Sequence, residues 1–122
     1  MKRNRKQVIQ KNYLDHIPVR SGHIKWFADE KGAVTIDIEN KGLMNRIAQK
    51  LFKKPRVSHI YLDELGSFIW LLIDGEKTIA DFGAPMEAHF GEKANPLYER
   101  LAKYFQILES YGFVRFLEEK GE

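Results

Sequence analysis

The side chains able to do chemistry in this chain are few, and their spacing does not combine them. Its four histidines are His16, His23, His59 and His89, and no two have the spacing of a helical metal site. The strands around His23 and His59 can be neighbours, but no carboxylate accompanies them in a recognisable ligand pattern, so no metal is expected. There are no cysteines, which excludes disulfides, thiolate metal sites and cysteine nucleophiles. Gly75, Gly83 and Gly91 stand alone, so no glycine-rich phosphate loop exists. Ser67 falls within a helical pattern rather than on a strand-to-helix nucleophile elbow. Asp63 and Glu64 form a carboxylate pair, but helix capping accounts for both. Trp26 and Trp70 read as core or groove aromatics. These residues assemble no catalytic constellation. The expectation is a protein that binds and does not catalyse, with no cofactor.

Binding needs a scaffold, and 122 residues suffice for one domain. Hydrophobic residues at 43% and charged residues at 30% suit a globular chain with a real core. The longest apolar run, Phe68 to Ile73, is too short to span a membrane. The charged N-terminus is not followed by an apolar segment, so no secretory signal is read and a cytoplasmic location is expected. The net charge of +3 conceals a division. Residues 1–11 and 41–56 together carry eleven basic residues and no acid, while the rest carries nine basic against seventeen acidic residues. Such a basic patch is either a solvated surface or a guide for an anionic partner.

Residues 1–21 read as a basic arm, with Tyr13, Leu14 and Ile17 able to dock, and residues 22–122 as the domain. Segments 23–28 and 33–39 flank Asp29-Glu30-Lys31-Gly32, a hairpin with Gly32 at positive φ. Val34, Ile36 and Ile38 alternate with Thr35, Asp37 and Glu39, so one face is buried and the other wet. Leu43 to Phe52 spaces its apolar residues as an amphipathic helix, which Pro55 stops. Residues 56–62 form a third strand, rich in β-branched and aromatic side chains. A helix over 64–73 is capped by Asp63, and its apolar face is Leu65, Phe68, Ile69, Leu72 and Ile73. Asp74-Gly75 ends it. A second helix starts near Ile79 behind a Thr78/Asp81 cap and runs to Phe90, with a kink or split at Pro85. A third spans 95–111, with Asn95 as cap and Pro96 in its first turn. Residues 113–117 are a short closing strand. The expected core is Ile36, Ile60, Leu65, Phe68, Ile69, Leu72, Leu101, Phe105 and Leu108. A sheet followed by three helices predicts an α+β, winged-helix-like domain: a three-stranded antiparallel sheet on a three-helix bundle, with an extra helix at 43–53 between strands two and three.

One ordered set of signals is distinctive. Leu62-Asp63-Glu64-Leu65-Gly66-Ser67-Phe68-Ile69-Trp70 is followed by Asp74-Gly75 and then Thr78-Ile79. It resembles the PqqD-like family, the peptide-recognition modules of ribosomally made, modified peptides. The resemblance covers roughly residues 22–117 and implies the same winged-helix-like fold. It differs from the compact family pattern at residues 41–55, where a basic helix replaces a short turn.

The resemblance implies a non-catalytic module. It captures the leader segment of a precursor peptide and presents it to a modifying enzyme, often a radical S-adenosylmethionine enzyme. In such modules the leader adds beside the third strand and packs against the last long helix. Mapped onto this sequence, the peptide-binding residues are Arg56, Val57, Ser58, His59, Ile60 and Tyr61, with Leu97, Arg100, Leu101 and Tyr104. Lys50, Lys53 and Lys54 would complement an acidic leader. The competing reading is a winged-helix DNA-binding protein. Against it, residues 95–111 offer only Arg100 and Lys103, opposed by Glu99 and Glu109, where a groove-reading helix needs donors. A third reading is a homodimer paired through the same sheet edge.

Overall fold

A computed structural model describes residues 13–39 and 57–117. The expected basic helix at 43–53 and most of the N-terminal arm lie outside the described residues. The chain divides into two compact units, His23–Ser67 and the combination of Met1–Gly22 with Phe68–Glu122.

The first unit holds a three-stranded antiparallel sheet, in the order β2 (Lys25–Ala28), β3 (Val34–Glu39), β4 (Val57–Tyr61). These are the three strands expected from the period-two pattern. The β2–β3 turn is built by Asp29, whose Oδ1 accepts from the amides of Lys31 (2.8 Å) and Ala33 (2.9 Å). Those amide donors hold the Asp29 carboxyl below its ordinary range. Gly32 completes the turn with φ of 85°, where a side chain would be strained.

Ser67 joins the sheet to α1 (Glu64–Leu72) at atomic level. The Leu62 amide donates to the Val34 carbonyl at 3.0 Å, extending the β3–β4 register by one step. The reciprocal bond does not close directly. The Val34 amide donates to Ser67 Oγ at 2.9 Å, and that hydroxyl donates to the Leu62 carbonyl at 3.2 Å. A buried side-chain hydroxyl thus relays the last rung of the ladder. Ser67→Ala should cost about 1–3 kcal/mol, because it strands a buried amide. A denaturation midpoint unchanged from the parent would refute this role.

Asp63 caps α1 as expected, its Oδ1 accepting from the Gly66 amide at 2.7 Å. The buried stripe of the helix differs from the expected one. Gly66, Ser67, Ile69, Trp70 and Ile73 are buried, whereas Leu65, Phe68 and Leu72 are half-buried. The stripe is turned by one residue, so that Gly66, Ser67 and Trp70 lie within it. Phe68 instead stacks on His89 at 4.5 Å and meets Phe90 edge-on. Ile60, also expected in the core, is 37% exposed, since β4 is the last strand of its sheet among the described residues.

The second unit contains a two-stranded sheet of which the sequence suggested only the closing strand. β1 (Pro18–Arg20) pairs antiparallel with β5 (Val114–Phe116). Residues 18–20, read as part of an arm, are therefore a strand. Pro18 is tolerated because it opens the strand. Arg20 donates to the Trp70 carbonyl at 2.7 Å, and its guanidinium lies 5.7 Å from the centre of the Trp70 ring. It thereby satisfies a carbonyl at the C-terminal end of α1, where a cation is favoured.

Asp74-Gly75 ends α1, with Gly75 at φ of 80°. Asp74 accepts from the Lys77 ammonium and from the amides of Glu76 and Lys77, which lower its carboxyl to about 2. Thr78 and Asp81 form the expected capping box, opening a 3-10 turn, Ile79–Phe82. The second helix is split as Pro85 required: α2 proper is Gly83–Phe90, with Pro85 in its first turn, where its missing amide breaks no helical bond. α3 (Leu97–Ser110) starts later than expected. Pro96 is its N-cap, and Asn95 makes no capping bond because it lies one residue too early. Phe82 and Phe105 pack at 5.2 Å among Ile79, Met86, Leu101 and Leu108, all buried.

Candidate functional site

β4 ends its sheet, and no strand among the described residues pairs with its outer side. Which of its groups face that side follows from the register. Thr35↔Tyr61, Ile36↔Ile60, Asp37↔His59, Ile38↔Ser58 and Glu39↔Val57 are opposite each other. The Leu62 to Val34 bond marks that pair as hydrogen-bonded, and antiparallel pairs alternate. Ser58 and Ile60 therefore turn their backbone groups toward β3. Val57, His59 and Tyr61 turn theirs outward.

Side chains alternate too. Trp26, Ile36 and Ile60 share one face. The other carries two rows, each crossing all three strands: Lys25–Asp37–His59 and Phe27–Thr35–Tyr61. His59 Nδ1 lies 2.6 Å from Asp37 Oδ1, an exposed pair in which the imidazole N–H donates to the carboxylate. Thr35 is buried, while Phe27 and Tyr61 on either side are 55% and 75% exposed. The rings of His59 and Tyr61 lie 6.4 Å apart.

Of the residues assigned to peptide binding from the sequence, Val57 to Tyr61 form one strand. Ser58 is half-buried, and His59, Ile60 and Tyr61 are exposed. The other four lie on α3, in the other unit: Leu97 and Tyr104 are half-buried, Arg100 is exposed, and Leu101 has no exposed surface. Tyr104 packs edge-on against Phe105. Arg56, Lys50, Lys53 and Lys54 lie outside the described residues. β3 separates β2 from β4, so the His23 segment and His59 are not strand neighbours. The neighbour of His59 is Asp37, which the sequence reading left on the wet face. A strand pairing with residues 37 and 59 in register would have found it. Among the described residues no cluster of histidine and carboxylates can hold a metal, and no helix is long and apolar enough to cross a membrane.

The family model of coenzyme PQQ synthesis protein D (PqqD) matches residues 35–114, from within β3 to the start of β5. The chain belongs to the PqqD family. PqqD proteins are peptide-recognition and chaperone elements of the biosynthesis of PQQ and other ribosomally made, modified peptides. Membership gives a peptide-binding partner role in that biosynthesis, and PqqD family members are non-catalytic accessory proteins. The PqqD match includes all of β4, α1, α2 and α3. No curated protein and no solved structure matches the chain significantly.

Proposed function

We propose that this chain captures the leader segment of a ribosomally made precursor peptide by strand addition at β4. It presents that peptide to a modifying enzyme of the radical S-adenosylmethionine class and does no chemistry itself. The observation that carries the reading is the outward direction of the backbone groups of Val57, His59 and Tyr61 at the end of the sheet. An extended peptide pairing there gains main-chain hydrogen bonds, and its alternate side chains supply specificity. Leu97, Arg100 and Tyr104 on α3 are proposed as additional contacts for apolar leader side chains. Lys50, Lys53, Lys54 and Arg56 are proposed to speed the approach of an acidic leader, with strong salt dependence. The proposed fold is winged-helix-like, as the family resemblance implies.

The test is amide NMR of the labelled protein, titrated with the precursor peptide encoded beside it. Shifts should centre on residues 57–61. Shifts confined to the 29–33 turn or the N-terminal residues, with 57–61 silent, would overturn the assignment.

A further inference from the structure

We infer that β4 selects its peptide through two alternate side chains on the exposed sheet face, an acidic one beside His59 and a large apolar one beside Tyr61. The inference rests on the capture reading above and adds the chemistry of the segment captured.

Lys25, Asp37 and His59 stand opposite one another across three strands. A fourth strand on β4 continues that row with one of its own side chains. Asp37 accepts from His59 Nδ1, which fixes that nitrogen as the donor. The ring geometry then directs Nε2 away from Asp37. A carboxylate arriving in the fourth position can only accept, so it pairs with Nε2 when that nitrogen also carries hydrogen, and the ring then bridges two carboxylates. Lys25 stands opposite Asp37 at the far end of the row. A lysine or arginine in the same place forms no such bridge, because neither side chain offers an acceptor to an Nε2–H donor.

The second row places Phe27, Thr35 and Tyr61 in line, two exposed rings around a small buried residue. A fourth strand sets its next same-face side chain beside the Tyr61 ring. A phenylalanine, tyrosine, leucine or isoleucine there covers apolar surface that water now touches. Same-face residues of a strand are two apart. The captured segment thus carries a large apolar residue and an acid separated by one residue. The apolar residue comes first if the peptide runs antiparallel to β4, and the acid comes first if it runs parallel.

The probe is a displayed library of random linear nine-residue peptides, selected on the full 122-residue chain. Enriched peptides are synthesised and titrated against the parent and His59→Gln, with amide shifts recorded. Enrichment of Asp or Glu two positions from a large apolar residue is expected. Changing that acid to its amide should weaken binding to the parent by about two- to fivefold and leave binding to His59→Gln unchanged. Selection on His59→Glu should turn the preference toward Lys and Arg. If enriched peptides shift residues 57–61 but show no acid preference, or lose as much affinity on His59→Gln, the inference falls and capture at β4 stands. If they leave residues 57–61 silent, or nothing is enriched, capture at β4 falls with it.

Discussion

Trp70→Ala should lower stability by about 3–5 kcal/mol, the range for truncating a large buried aromatic residue. The indole is 0% exposed. Its removal leaves a cavity that α1 cannot fill, because the side chains next to it in the chain, Ile69 and Leu71, are fixed on other azimuths of the helix. It also removes the ring under the Arg20 guanidinium, which remains held by the Trp70 carbonyl. Domains of this size are stable by only about 5–15 kcal/mol, so the melting temperature should fall by roughly 10–20 °C. Leu71→Ala is the control one residue away. Leu71 is exposed, and its truncation should cost well under about 1 kcal/mol. Equal thermal shifts for the two variants would mean that the buried stripe of α1 is wrongly placed.

His59→Pro should weaken peptide capture by about tenfold or more while leaving the sheet nearly intact. The His59 amide points away from β3, so the β3–β4 ladder loses no bond. Proline is tolerated on edge strands in that orientation. A peptide paired with β4 loses that donor and meets the pyrrolidine ring in its place. Ser58→Pro should behave in the opposite way. Its amide faces Ile38, so proline there breaks the ladder and lowers the melting temperature before any peptide is added. Thermal melts and titration with the same peptide separate the two effects. Unchanged affinity for His59→Pro would exclude strand addition at this position. Replacing Tyr61 or His59 by other non-proline residues should matter less, since the main chain supplies most of the attachment.

Much of this protein is legible one short window at a time. Asp29 and Gly32 form their turn, Asp63 caps α1, Asp74 and Gly75 close it, and Thr78 with Asp81 caps the next turn. Each signal acts within about four residues, so the residues themselves carry it. Period-two alternation likewise located the three strands of the main sheet. The ordered set from Leu62 to Ile79 pointed to the family that the matched segment then showed.

What the tertiary structure decided depends on residues distant in the chain. β1 is three residues long, too short for any period, and it forms only because Pro18 to Arg20 meets the expected closing strand, Val114 to Phe116, nearly a hundred residues later. The stripe of α1 was misread by one residue because apolar spacing defines a broad arc. Only the burial of Gly66, Ser67 and Trp70 in the folded chain locates its centre. Asn95 has the right chemistry for a cap but sits one residue before the N-cap that the folded backbone adopts. The candidate site shows the division most clearly. The sequence names His59 and Tyr61 as strand residues. Their outward amides, and the place of His59 beside Asp37, follow from register, which is set by the partner strand and by the hydroxyl of Ser67 at its end.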